Sequence, residues 1–325
     1  MIRQFVAGLL ITSVLLTASL AEAQQQIRVY KIGWLTSISG QSSASGIIQQ
    51  GLRALGYVEG KNTMFEYRSA EGKLDRLPAL ASELVRLKVD VIVATGTEVA
   101  LAAKNATKTI LIVFTSGADP VAAGLVDSLA RPGGNLTGLS TISAELTGKR
   151  LELLAETVRK LSRVAVLWHP RAASSAQQWK ESQLPARELG LHLHSMEVTS
   201  AEKFDSAFKD AVKAGSAALA VTSAPVNNSN QKQIADLATR HRLPGISPWG
   251  EFVTSGGLMS YGADDAERYR RAAYLIDRIL KGAKPAELPV EQPMGFEFTI
   301  NLKTAKTLGL TIPPIVLMRA TRVIK

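Results

Sequence analysis

Cysteine is absent from the 325 residues. That excludes disulfides, thiolate metal sites and a cysteine-linked lipid anchor. Histidine is almost as scarce, with four residues: His169, His192, His194 and His241. His192 and His194 alternate along a predicted strand and share a face, but no carboxylate cluster completes a metal site. His169 follows another predicted strand, beside Pro170 and Arg171. As a catalytic base it needs a nucleophile and an orienting acid. Ser174 and Ser175 lie close by, yet no Gly-x-Ser-x-Gly elbow occurs. Neither phosphate-loop fingerprint is present, and Gly133 to Gly138 reads as a turn and crossover. The formal charge is +10, with Lys and Arg scattered along predicted helices. There is no basic block and no zinc-finger or RNA-binding signature, which argues against nucleic acid. The charge reads as solvated helix faces with a mild attraction for acidic solutes. No metal, cofactor or covalent chemistry is expected.

Long apolar runs are missing after the first turns of the chain. At the N-terminus, Arg3 precedes a mostly apolar stretch, Phe5 to Leu20, and Ala21-Glu22-Ala23 matches a leader-peptidase site. A cleaved leader, residues 1–23, is the expectation, with the mature chain starting at Gln24 in the periplasm. A retained anchor is the alternative, since the stretch is near the lower limit for a span.

What is present is a repeating strand–helix rhythm. Hydrophobic residues make up 46% of the chain, ample for a packed core, and the length allows two domains. Ile110 to Phe114 is an apolar, β-branched run of strand length. Asp119-Pro120 after it reads as a helix cap, with a short helix to about Ala130. Leu136 to Ser140 reads as a crossover between lobes. Strands are expected at Lys31–Leu35, Asn62–Arg68, Val89–Ala94, Arg163–Trp168, Leu191–Val198, Ala217–Thr222, Gly245–Ser247 and Gly257–Tyr261. Helices fall between them, one opened by a cap at Asp75, another broken at Pro185, and a long one capped by Asp264 or Asp265. The tail reads as strands at Leu288–Glu291 and Phe296–Ile300, a helix at Leu302–Leu308, and a last strand at Ile315–Ile324. The fold class is α/β, two doubly wound parallel sheets facing a cleft.

In such sheets a ligand sits beyond the carboxyl ends of the strands. The exits there carry Thr36, Ser37, Thr95, Gly96, Thr97, Ser116, Asp119, Ser174, Ser175 and Ser223. Backbone N–H groups at helix starts and neighbouring hydroxyls make a cradle for a carboxylate. Asp119 serves as a cap or meets an amine. Trp34, Trp168 and Trp249 lie on the cleft side, as core or as stacking surfaces for a flat ligand. Trp179, inside a helix, reads as packing.

Several segments carry a family resemblance across nearly the whole mature chain: Gly56-Tyr57-Val58-Glu59-Gly60-Lys61-Asn62, Asp119-Pro120-Val121 with Gly124-Leu125-Val126, and Arg131-Pro132-Gly133-Gly134-Asn135-Leu136-Thr137-Gly138. Lys149 to Leu154, Gly257 to Gly262, Ile279 to Pro289 and Asn301 to Lys306 add to it. The chain resembles exported substrate-binding proteins of ABC transporters, in the tryptophan/tyrosine-type branch. The resemblance implies a type I periplasmic-binding fold with two Rossmann-like lobes and a three-segment hinge. It assigns 27–140 and 264–285 to an N-terminal lobe, and 141–263 and 286–325 to a C-terminal lobe. The hinge falls near Leu136–Thr141, Gly262–Asp264 and Pro285–Leu288. It also implies ligand contacts at Thr95–Thr97, Ser116, Asp119, the Trp168–Ser175 loop, Ser223, Tyr261 and Asp264. The implied partners are a small-molecule solute and a permease with its ATPase at the inner membrane. Ser223 departs from the pattern, since amino-acid-binding relatives carry an aspartate there. A buried ammonium lacking a carboxylate is costly, so a carboxylate-bearing or neutral aromatic solute fits as well as a free amino acid. A sensor feeding a membrane receptor uses the same cleft and stays open as an alternative.

Overall fold

The structure is a computed structural model that describes residues 28–38 and 43–325. The leader and its cleavage site lie outside these residues. The first sheet is built from β1 (Tyr30–Thr36), β2 (Thr63–Ser69), β3 (Val91–Thr95), β4 (Leu111–Ser116) and β5 (Leu136–Ser140), in the order β2-β1-β3-β4-β5 and parallel throughout. Helices α1 (Ser43–Ala54), α2 (Leu77–Arg86) and α3 (Thr97–Ala106) make the crossovers. Both faces of the sheet are covered, so its strands read as near-continuous apolar runs. Ile92 and Ala94 point to the layer with Leu84, Val99 and Phe114. Val91 and Val93 point to the opposite layer with Ile48, Leu52 and Ile276.

The second sheet follows the helix α4 (Thr147–Thr157). Its strands are β6 (Arg163–Trp168), β7 (His192–Glu197), β8 (Ala218–Val221), β9 (Gly245–Ser247), β10 (Met259–Ala263), β11 (Phe296–Asn301) and β12 (Arg322–Ile324). The order is β12-β11-β10-β9-β8-β6-β7, parallel except for the β10–β11 pair. Around it pack α5 (Ala173–Glu188), α6 (Phe204–Lys213), α7 (Pro225–Ser229), α8 (Gln231–Arg240) and α9 (Gly250–Thr254). α10 (Asp265–Leu280) leaves β10 of the second sheet yet buries Leu275 and Ile276 against the first. There it is tied by the Tyr57 hydroxyl, which donates to Asp277 at 3.0 Å. The chain ends through α11 (Leu302–Thr307) and α12 (Pro314–Arg319).

The chain passes between the sheets three times: after β5, at Asp264, and between Glu291 and β11. Arg150 braces the first two passages. It donates to the carbonyl of Tyr261 at 2.8 Å and to the carbonyl and hydroxyl of Ser143, each at 2.9 Å. Burial pulls its guanidinium down to about 9 against the opposing effect of Tyr261 and Glu145, still cationic at neutral pH.

Several local expectations are corrected. Residues 119–130 form a turn rather than a helix: Asp119 accepts from the N–H of Val121 and Ala122, but Gly124 at φ +69° turns the chain out. Leu136–Ser140 is a strand, and the passage begins after it. Asp75 lies within a 3₁₀ turn, Leu74–Arg76, and caps nothing. α5 runs through Pro185 unbroken; the ring sits over Gly148 of α4, where even a Cβ would come within 3.1 Å of it. Residues 288–291 form a bridge to β5, through Leu139 and Glu291, instead of a strand. Leu288 and Val290 pack into the two opposite layers of the first sheet, so the last passage lies after Glu291 and not at residue 286. Ile315–Ile324 is a helix and a three-residue strand, because Pro314 opens α12 at a position where no N–H is needed.

Candidate functional site

The carboxyl ends of both sheets face one cleft. On the first sheet, β3 leaves through Thr95 and Gly96. Gly96 stands at the α3 N-cap with φ +119°, a conformation that favours glycine. The Thr97 and Ser116 hydroxyls lie 3.0 Å apart, and Thr97 Oγ1 accepts from the N–H of Gly117 at 3.2 Å and of Ala118 at 3.3 Å. Those hydroxyls therefore fix the shape of the two exit loops.

The opposite wall comes from α5, α7, α8, α9 and the start of α10. Here Gln178 of α5 donates to Ser174 Oγ at 3.0 Å and accepts from the Ser223 N–H at 3.2 Å. The walls touch. Asp119 N–H donates to Gln177 Oε1 across the cleft at 2.9 Å, and Gly117 lies so close to Ser174 that a Cβ there would collide with it. The cavity between the walls holds about 110 Å³.

Charged groups sit at its floor and rim. Asp265 forms an ion pair with Arg268, which is 4% exposed. The guanidinium lies 5.3 Å from the Trp249 ring and 4.4 Å from that of Tyr269. Burial pushes the Asp265 carboxyl up against the pull of Arg268. Burial likewise pushes up Glu98, against the opposing pull of the backbone N–H groups of Glu98 itself, Ala173 and Ser174. Among the described residues, ten buried side-chain polar atoms have no partner, and seven line this cavity. They are Glu98 Oε1, Thr141 Oγ1, Ser223 Oγ, Asn228 Oδ1, Gln231 Oε1, Trp249 Nε1 and Arg268 Nε. Buried polar groups normally have partners, so this concentration marks a place where a guest supplies them.

Residues 31–324 match the family described as ABC transporter substrate binding protein. The chain belongs to that family. It is 29% identical over 258 residues to a tyrosine-binding protein of Clostridioides difficile, spanning 78% of this chain and 73% of that one. A conserved domain protein of Vibrio cholerae has the same fold at TM-score 0.85 and 30% identity, over 91% of this chain and all of that one. A Streptococcus pneumoniae ABC domain solved with L-Trp matches at TM-score 0.80 and 26% identity, over 90% of this chain and all of that one. The fold is that of the periplasmic binding proteins, and the family's work is solute binding.

In this substrate-binding protein the cavity gathers Thr36, Ser37, Thr95, Gly96, Thr97, Ser116, Ser174, Ser223 and Trp249 from the residues read in the sequence. It does not gather the others. Trp34 is core, 2% exposed, with its ring 6.1 Å from Tyr67. Trp168 stacks on Trp179 at 5.4 Å, and its indole N–H donates to Ser195. Ser175 accepts from the His169 N–H and pairs with Thr222, bracing the loop from behind. Tyr261 packs on Phe296 and Phe298. Asp264 caps α10 through the Glu267 N–H, and Asp119 is spent on its turn and the contact with Gln177. The cavity also takes in Asn228, at the end of the strand exit Thr222–Asn228, and Glu98, Thr141, Gln231, Glu251, Asp265, Arg268 and Tyr269, which the sequence did not place at the site. For Arg268 a signal existed: it stands three residues after Asp265 in the first turn of a capped helix, which puts the pair on one face.

His169 is not part of a dyad with Ser175, because the bond to that hydroxyl comes from its backbone. Its Nδ1 accepts from the Arg171 N–H at 3.1 Å, which requires an unprotonated nitrogen. Burial, then the Arg171 charge, pushes its pKa down. The unfolded chain therefore takes up a proton near the ordinary value while the folded one does not. Stability is full above that value and declines as pH falls below it, by at most about 1.4 kcal/mol per pH unit for one proton. The substitution His169→Gln is expected to flatten the change in urea midpoint between pH 7.5 and 5.5. An unchanged slope would assign that dependence elsewhere.

Proposed function

We propose that the protein captures a small aromatic solute bearing a carboxylate, of amino-acid type, and hands it unaltered to a membrane permease driven by an ATPase. The observation that carries this reading is the set of unpartnered donors and acceptors around one cavity. Arg268 Nε and Trp249 Nε1 are suited to a carboxylate, and the Trp249 and Tyr269 rings to a flat apolar body. The tyrosine-binding and L-Trp-bound relatives support the same class. The three passages between the sheets serve as the hinge, and the solute favours the closed form by touching both walls. The protein works in the periplasm after removal of residues 1–23.

The experiment is a melting-temperature screen of the mature protein against amino acids, aromatic carboxylates, sugars and polyamines. At a solute concentration of about 100 times Kd, stabilisation of about 2.7 kcal/mol is expected, confined to L-tyrosine, L-tryptophan and their close analogues. A shift with sugars or polyamines alone, or chemical conversion of a bound solute, would sink the proposal.

A further inference from the structure

Ser223 offers a hydroxyl, so position 223 leaves a guest ammonium without a carboxylate. The cavity supplies one from the other wall. Glu98 is the second residue of α3 on the first sheet. Its carboxyl lies in the cavity with Ser174, at the start of α5 of the second, and the N–H groups of Ala173 and Ser174 there draw it down against the effect of burial. Its Oε1 is buried and unpartnered. Ser174 and Ser223 both lie against Gly117, so this carboxyl and the expected aspartate position meet in one corner. Asn228 Oδ1 and Gln231 Oε1, from the second wall, are also acceptors without a donor. The lining thus contains acceptors in search of N–H groups beside the paired donors Arg268 and Trp249. A carboxylate alone would satisfy only the latter.

We propose that Glu98 receives a cationic nitrogen of the solute on Oε1 while the same carboxylate latches the two lobes, so that an amine-bearing solute completes closure and its des-amino analogue does not. The inference rests on the solute class proposed above and adds to it the charge that the solute must carry. A carboxylate buried with only neutral donors is held at a disadvantage, and burial does push this one up. A guest ammonium relieves that disadvantage in the closed form alone, since in the open form water solvates the carboxylate.

The test is calorimetric titration of the mature protein and of its Glu98→Gln variant with two pairs: L-tyrosine and 3-(4-hydroxyphenyl)propionate, L-tryptophan and indole-3-propionate. The wild-type protein is expected to bind the amine of at least one pair tenfold or more tightly than its des-amino partner. The variant keeps an oxygen acceptor for the Ala173 and Ser174 N–H groups but loses the charge. It is expected to lose tenfold or more for the amine and less than threefold for the des-amino acid. Equal weakening of both members would overturn the proposal, leaving Glu98 a latch only. So would equal or tighter binding of the des-amino acid by the wild type, and this comparison decides alone if the variant does not fold. Binding of neither pair by the wild type overturns the solute class itself and this inference with it, a failure distinct from the other two.

Discussion

Replacing Arg268 with leucine is expected to weaken solute binding about a hundredfold or more and to lower stability by about 1–3 kcal/mol. The two effects have different origins. The stability loss comes from Asp265: Arg268 is its buried ion-pair partner, while the carboxylate itself is 33% exposed, so stripping it of that partner costs less than the about 3–5 kcal/mol of a fully buried charge. The binding loss comes from Nε, which faces the cavity with no acceptor in the protein. A buried charge-assisted bond to a guest carboxylate is worth about 2–5 kcal/mol on truncation. The double variant Asp265→Asn, Arg268→Leu separates them. It is expected to recover most of the urea midpoint, because no charge is left unpaired, while solute binding stays lost. Recovery of both would make Arg268 a scaffold residue and leave the carboxylate to the hydroxyls and backbone of the strand exits. The conservative Arg268→Lys keeps charge but loses the planar stack on Trp249 and Tyr269, so intermediate affinity is expected.

Much of the architecture was legible because the signals are local. The β-branched runs at Val91–Thr95 and Leu111–Ser116 and the glycine stop at Gly56 need no tertiary knowledge. The errors lie where tertiary contacts override local chemistry. Pro185 ordinarily breaks a helix, yet Gly148 on the facing α4 makes room for its ring. Asp119-Pro120 has the chemistry of a cap, and its side chain makes the cap's bonds, but a left-handed Gly124 leaves it no helix to cap. Leu136–Ser140 looks like a linker because its residues are small. It is a strand because Gly138 lets it lie close against Phe114.

The site divides along the same line. Strand-exit hydroxyls such as Thr97 and Ser116 line the cavity, as their place at the exits of a parallel sheet leads one to expect. Trp34 and Trp168 were misplaced because alternation within a strand decides the face, and proximity to the cleft end does not. Charged residues were missed for a different reason. Glu98 and Arg268 read as ordinary helix-surface residues until α10 crosses from one sheet to the other and the two walls meet. Their burial is a property of closure, which no single segment encodes.

Gly138→Ala is expected to lower stability by about 3 kcal/mol or more, with a fall in Tm of several degrees. Gly138 is paired with Phe114 across the β4–β5 ladder. A Cβ there would stand 2.8 Å from both the backbone carbon and nitrogen of Phe114, and closer still to its carbonyl oxygen. The obstacle is backbone, so no rotamer change relieves it, and overpacking of this kind sits at or above the usual range of about 1–3 kcal/mol. The strain also reaches two of the three passages. Gly138 O accepts from the Glu291 N–H at 3.0 Å, Ser140 N–H donates back to Glu291 O at 2.9 Å, and Thr137 Oγ1 donates to Leu288 O at 2.8 Å. If β5 is pushed from β4, the returning segment moves with it, and the lobes no longer meet in register. Solute affinity is therefore expected to fall along with stability. Gly46→Ala is the control: Gly46 lies in α1 with nothing within 4 Å of a Cβ, and alanine there is expected to stabilise by about 0.5–1 kcal/mol. If Gly138→Ala behaved like the control in urea unfolding, the close approach of β5 to β4 would be wrong, and with it the account of how the first passage is anchored.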